Sequence, residues 1–170
     1  AQLLIFHAIM QPGDRFVAAK QLYGGSINQF GHAFKKFDWH VDWADMADPA
    51  AVKAAIGPKT RAIFMESIAN PGRVVQDVSA LAAIAKEAGI PLIVDNTMAT
   101  PYLCRPIELG ADIVCHSLTK FIGGHGNSIG GIIVDAGTFD WSASGNYPTL
   151  SEPCDSYHGL KMHETFGNIA

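Results

Sequence analysis

Short apolar runs alternate along the chain with stretches of helical periodicity, and no other feature constrains the fold as strongly. Six runs read as strands, at residues 15–19, 37–41, 61–66, 91–95, 112–116 and 131–134. Their Ile, Val and Phe content fits strands covered on both faces, so the expected fold is α/β, a mostly parallel sheet with helices on both faces. The clearest helix is expected over 77–88: Asp77 caps it, Val78, Leu81, Ala82, Ala85 and Ala88 share a face, and Gly89 with Pro91 ends it. A second is expected over 49–56. After Asp135 the pattern fades into Gly, Ser, Asn and Pro, which predicts an irregular excursion across a surface or into a partner subunit.

Composition narrows the function classes. Charged residues make up 16% of the 170, against about 25% in an ordinary soluble domain, so much of the surface is expected to face other protein. The formal charge of −4 argues against a nucleic-acid partner. No uninterrupted apolar run reaches the roughly 18 residues of a membrane span, so no membrane partner is expected. The apolar stretch Ala1 to Met10 lacks a basic leader and a small-residue cleavage site. Three cysteines, Cys104, Cys115 and Cys154, without CxxC spacing disfavour a disulfide framework and a zinc knuckle. A cytoplasmic location with reduced thiols is the expectation. The chain opens on Ala-Gln-Leu-Leu without Met and stops at Gly-Asn-Ile-Ala, as a piece of a longer protein would.

In open α/β sheets, ligands bind beyond the carboxyl ends of the strands, so polar residues just after the apolar runs are the first candidates. Three such ends stand out: Val94 to Thr97, Ser117 to Lys120, and Glu66 to Pro71. Lys120 is flanked by Ser117, Thr119, Phe121, Ile122 and glycines. A lysine in a poorly solvated pocket becomes a usable amine nucleophile or base, and a Schiff base suits it. The hydroxyls of Ser117 and Thr119, with the amides around Gly123, Gly124 and Gly126, suit a phosphate. Asp95 ends the preceding strand, where a carboxylate beside a heterocyclic nitrogen keeps that nitrogen protonated. Tyr23, in Leu-Tyr-Gly-Gly-Ser, follows another strand; it is a core tyrosine or a ring that lies on a cofactor. Asn70, before Pro71, is a turn asparagine or an amide that reaches a ring oxygen or a carboxylate.

Taken together, Asp95-Asn96-Thr97, Ser117-Leu118-Thr119-Lys120, Tyr23-Gly24-Gly25 and Asn70-Pro71 resemble the Cys/Met-metabolism family of pyridoxal-phosphate (PLP) enzymes, of the aspartate-aminotransferase-like fold type I. The resemblance runs through nearly the whole chain. Lys120 to Gly126, Ile129 to Asp135, Phe139 to Trp141 and Pro153 to Leu160 are most similar to the branch that replaces the acetyl group of O-acetylhomoserine with sulfide. The resemblance implies PLP as cofactor, carried by Lys120, paired at its pyridine nitrogen with Asp95 and held at its phosphate by Ser117 with Thr119. It also implies that Tyr23 stacks on the ring and serves as acid or base at Cγ, that Asn70 touches the ring's 3-oxygen or the substrate, and that Thr97 supports the site. By the same resemblance, residues 1–170 are part of a PLP-binding large domain. An N-terminal segment and a C-terminal small domain complete the family's pocket, and the subunits form a dimer of dimers. The close rivals within the family are cystathionine γ-synthase, cystathionine γ-lyase and methionine γ-lyase.

Three readings from other classes stand beside this one. Ser117-Leu118-Thr119-Lys120 also fits the S-x-x-K pattern of serine β-lactamases, which wants the motif at a helix start. A metal at His116, His125 and Asp95 lacks any H-E-x-x-H or paired spacing, so no metal is expected. An inactive structural segment is the non-enzyme alternative.

Overall fold

The computed structural model describes residues 1–167. Six strands form one sheet: β1 (Arg15–Ala19), β2 (His40–Ala44), β3 (Thr60–Glu66), β4 (Leu92–Asp95), β5 (Ile113–Ser117) and β6 (Gly131–Asp135). Their order is β2-β1-β3-β4-β5-β6. The first five run parallel and β6 runs antiparallel to β5. The chain lays β2 on one side of β1 and then β3 on the other. The loops after β1 and β3 therefore diverge and open a crevice at the carboxyl ends of the strands. From Ala62 to Glu66, β3 buries consecutive residues, which requires cover on both faces.

The helices are α1 (Gln2–Ile9), α2 (Gly24–Asn28), α3 (Pro49–Ala55), α4 (Val78–Ala88) and α5 (Thr100–Leu103). As expected, the Asp77 side chain caps α4 by accepting the Ala80 N–H at 2.9 Å, and Gly89 ends it in a left-handed conformation at φ 66°. Asp48 caps α3 in the same way, accepting from Ala50 and Ala51, with Pro49 in its first turn.

Two expected elements differ. The strand expected at 37–41 lies at His40–Ala44, because helical turns continue from α2 through Phe37 and stop only at Asp38, in a left-handed conformation at φ 58°. Those turns place Phe30 and Phe34, four residues apart, on one face against Phe6 of α1 and Phe16 of β1. This apolar spacing was the signal for a helix there. The second difference is β6, which is an exposed edge strand and not a covered one. It stands last in the strand order and pairs with β5 alone, and Ile132, Ile133 and Val134 all remain exposed.

The segment after Asp135 holds only short elements and a two-stranded pair, Pro153–Cys154 with Leu160–Lys161. It is nevertheless anchored: Trp141 and Tyr147 are buried in the core, and the Tyr147 hydroxyl donates to the Arg61 carbonyl at 2.9 Å. Among the described residues no helix is long and apolar enough to cross a membrane.

A buried ion pair joins the start of β3 to the turn before β1. The Arg61 guanidinium lies 2.9 Å from the Asp14 carboxylate, with side chains 13% and 7% exposed. Asp14 also accepts the Gln11 N–H at 2.8 Å. Arg61→Ala leaves that carboxylate buried without its counter-charge, and a destabilisation of about 3–5 kcal/mol is expected. Urea unfolding of the full-length protein measures it; a loss below about 1 kcal/mol contradicts the assignment.

Candidate active site

At the carboxyl ends of β1, β3, β4 and β5 the sheet opens into a cavity of about 870 Å³. All seven residues singled out in the sequence line it. Tyr23 comes from the loop after β1, Asn70 from the loop after β3, Asp95 and Thr97 from the end of β4, and Ser117, Thr119 and Lys120 from the end of β5.

Asp95 and the Lys120 turn are neighbours because β4 and β5 are adjacent, with Asp95 opposite Cys115 in register. The Asp95 carboxylate is held on both oxygens. Oδ1 accepts the Thr97 N–H at 3.0 Å and the Thr97 hydroxyl, and Oδ2 accepts the Gln2 side-chain amide at 3.1 Å. Thr97 in turn accepts the Ser117 N–H on Oγ1 at 2.8 Å, tying the ends of β4 and β5 together. These contacts fix the orientation of the carboxylate. Burial, and then the Asp95 charge, push the Cys115 thiol well above its ordinary range, so it stays a neutral thiol.

The turn carrying Lys120 leaves β5 directly: the Lys120 N–H donates to the Ser117 carbonyl at 3.2 Å, and the Gly123 N–H to the Leu118 carbonyl at 2.8 Å. A Cβ on Gly123 would lie 2.4 Å from that carbonyl oxygen, so the turn closes only with glycine there. Lys120 is exposed, contrary to the expected poorly solvated pocket. The glycine-rich stretch beyond it folds no side chain over the amine, and residues 123–129 are all exposed. Thr119 shares its hydroxyl with one residue: Oγ1 accepts the Gly130 N–H at 3.1 Å and donates to the Gly130 carbonyl at 3.3 Å. That carbonyl also accepts the Leu118 N–H at 3.0 Å.

Tyr23 is the residue before α2, with its side chain half-exposed at the cavity wall. A Cβ on Gly25 would fall 2.5 Å from its ring, so the second glycine of Tyr23-Gly24-Gly25 is what allows the ring its place. Gln2, Glu66 and His116 also line the cavity. Gln2 lies 93 positions from Asp95, and only the packing of α1 brings them together. Glu66 ends β3, and nothing in its neighbouring letters marks out a role for it in a site. His116, which faced a metal reading, is a buried ring on β5 whose burial lowers its pKa despite the nearby Asp95 charge. His125 is exposed and bonds Gly123 in its own loop. Among the described residues no group of three His, Cys, Asp or Glu could hold a metal. Ser117 ends β5 and Lys120 lies on the turn after it, not at a helix start, which removes the structural context of the S-x-x-K reading.

The cavity fits PLP on this geometry. It offers a carboxylate with fixed donors at its floor, a lysine across the neighbouring strand end, hydroxyls and glycines beside that lysine, and an aromatic ring at the wall.

An O-acetyl-L-homoserine sulfhydrylase from Leptospira meyeri is 47% identical over 169 residues, covering 99% of this chain and 38% of the relative. A homocysteine/cysteine synthase from Saccharomyces cerevisiae is 43% identical over 172 residues, covering 100% and 39%. A Campylobacter jejuni crystal structure, provisionally named an O-acetylhomoserine (thiol)-lyase and holding an N'-pyridoxyl-lysine-5'-monophosphate, superposes with a TM-score of 0.90. It is 30% identical, covering 95% of this chain and 40% of that one. Cystathionine gamma-lyase from Lactobacillus plantarum, complexed with L-serine, gives 0.76 at 36% identity, covering 79% and 35%. The chain thus spans about two fifths of the length of the curated relatives it matches. Residues 1–165 match the model of the Cys/Met metabolism PLP-dependent enzymes, and the chain belongs to that family.

Proposed function

We propose that the chain is the cofactor-binding large-domain segment of an enzyme that makes L-homocysteine and acetate from O-acetyl-L-homoserine and sulfide, in methionine and cysteine biosynthesis. The convergence of Lys120 and Asp95 on one cavity carries the enzymatic reading. The choice of substrate is supported by what the relatives are named for.

PLP, when bound, supplies an electron sink for negative charge developing on the amino-acid carbons. Lys120 would hold it through its amine, and that amine would move protons at Cα and Cβ of the substrate. Asp95 keeps the pyridine nitrogen protonated, with Thr97 and Gln2 holding its carboxylate. Ser117 and Thr119 would hold the phosphate, Tyr23 would lie against the ring and transfer a proton at Cγ, and Asn70 would serve the 3-oxygen or the substrate carboxylate. Acetate leaves from Cγ and sulfide takes its place.

We place the enzyme in the cytoplasm as a homo-oligomer, a dimer of dimers. Support for the assembly comes from large apolar side chains left open on the chain, among them Tyr102 at 92% and Ile129 at 97% exposure. The test is an assay of the full-length protein, loaded with PLP, for homocysteine from O-acetyl-L-homoserine and sulfide. The Lactobacillus relative supports a second reading, a γ-lyase. Breakdown of cystathionine without homocysteine formation would favour that reading and overturn the first.

A further inference from the structure

Glu66 is a buried carboxylate in the cavity that the proposed chemistry leaves without work. It ends β3 at 6% exposure, between the strand ends that lead to Tyr23 and to Asp95. Its two oxygens are committed to different loops. Oε1 accepts the Tyr23 N–H at 2.8 Å, and Oε2 accepts the Asn70 N–H at 3.0 Å. Tyr23 lies 43 positions before Glu66 and Asn70 four after it, on loops that diverge at the switch between β1 and β3. One side chain thus fastens both loops at the same strand end. Its direct neighbour in the sheet is Asp95, so the base of the cavity carries two carboxylates side by side. Burial raises the Glu66 carboxyl, the Tyr23 and Asn70 N–H groups lower it, and the Asp95 charge raises it again. A group kept there at that cost, with both oxygens spent on backbone donors, marks a built contact.

We infer that Glu66 is a positioning residue that sets the Tyr23 ring and the Asn70 amide over the cofactor. The inference rests on the roles given to Tyr23 and Asn70 in the proposed function. Glu66 acts through those two residues and touches neither cofactor nor substrate.

Glu66→Gln separates this role from general packing. The amide keeps the shape but has one acceptor oxygen, so its NH₂ meets a backbone N–H and one loop comes loose. The test uses the full-length holoenzyme. It compares Glu66→Gln, Tyr23→Ala with Asn70→Ala, and the triple variant, by the PLP dissociation constant, the visible circular dichroism of bound PLP, and kcat/KM. Glu66→Gln alone is expected to weaken PLP binding and kcat/KM by roughly 10- to 100-fold, to alter the visible band, and to leave far-ultraviolet dichroism unchanged. In the Tyr23→Ala, Asn70→Ala background, the same change is expected to cost less than about threefold, because residues acting through one another do not add.

A full additional loss in that background overturns the inference, as does a Glu66→Gln protein that binds PLP like the wild type. Should Glu66→Gln fail to fold, Glu66→Asp keeps both acceptors with a shorter reach. Its intermediate loss must likewise vanish in the double background, or the inference falls. Tyr23→Ala with Asn70→Ala leaving PLP binding and kcat/KM intact would instead sink the roles of those residues, and with them the premise.

Discussion

Lys120→Ala in the full-length protein is expected to abolish borohydride-trappable attachment of PLP and to lower turnover by at least about 10⁴-fold. Lys120 is the single lysine among the described residues lining the cavity, so no other lysine there can take over the attachment or the proton transfers. Its backbone is fixed by the Ser117 and Gly124 hydrogen bonds, so the truncation removes the amine without disturbing the turn. Lys120→Arg sharpens the test. A guanidinium keeps the positive charge but does not deprotonate, so it neither attacks a carbonyl carbon nor accepts a proton near neutral pH. If charge alone mattered, Arg would restore activity; on the present reading it is as inactive as Ala. Peptide mapping after reduction locates the label, and label on another residue, or more than a tenth of wild-type turnover in Lys120→Ala, sinks the assignment.

Asp95→Asn has the second-largest expected effect. A carboxylate within about 4–6 Å shifts a partner's pKa by roughly 1–3 units, and losing that influence over the pyridine nitrogen corresponds to a fall in kcat of about 10- to 1,000-fold. The amide is nearly isosteric, and its oxygen can still accept from Thr97, so the sheet end survives. What is lost is the charge and one acceptor, leaving Gln2 facing an NH₂. Asp95→Asn is therefore expected to retain the wild-type melting temperature within a few degrees while losing turnover. Retention of more than half of kcat would remove Asp95 from the role. Thr97→Val, which deletes a donor to the same carboxylate, is expected to give a kcat between those of the wild type and Asp95→Asn.

The strands were legible where an apolar run ended in a polar residue within a residue or two, and β1, β3, β4 and β5 lie where the sequence placed them. The second strand was misplaced because Phe37 looks like strand and belongs to a helical turn. Phe30 and Phe34 held the helical spacing, but their reward is contact with Phe6 and Phe16, which no local window contains. The same limit governs the site. Lys120, Asp95, Ser117 and Thr97 lie at strand ends and carry their signal in three or four consecutive letters. Gln2 and Glu66 matter through partners dozens of positions away, so their letters alone say nothing. Burial was the poorest guide: β6 and Lys120 looked covered by their apolar neighbours, and both are open.

The tie between Thr119 and Gly130 carries a consequence for how an anion enters. A hydroxyl has one hydrogen to give, and here Gly130 holds it. Yet the Gly130 carbonyl is doubly served, because the Leu118 N–H reaches it as well. Redirecting the Thr119 hydrogen toward a phosphate therefore orphans nothing. The redundancy makes the hydroxyl a placeholder, oriented beforehand and released without a stranded acceptor, so that nearly the whole strength of the new bond goes to the incoming group.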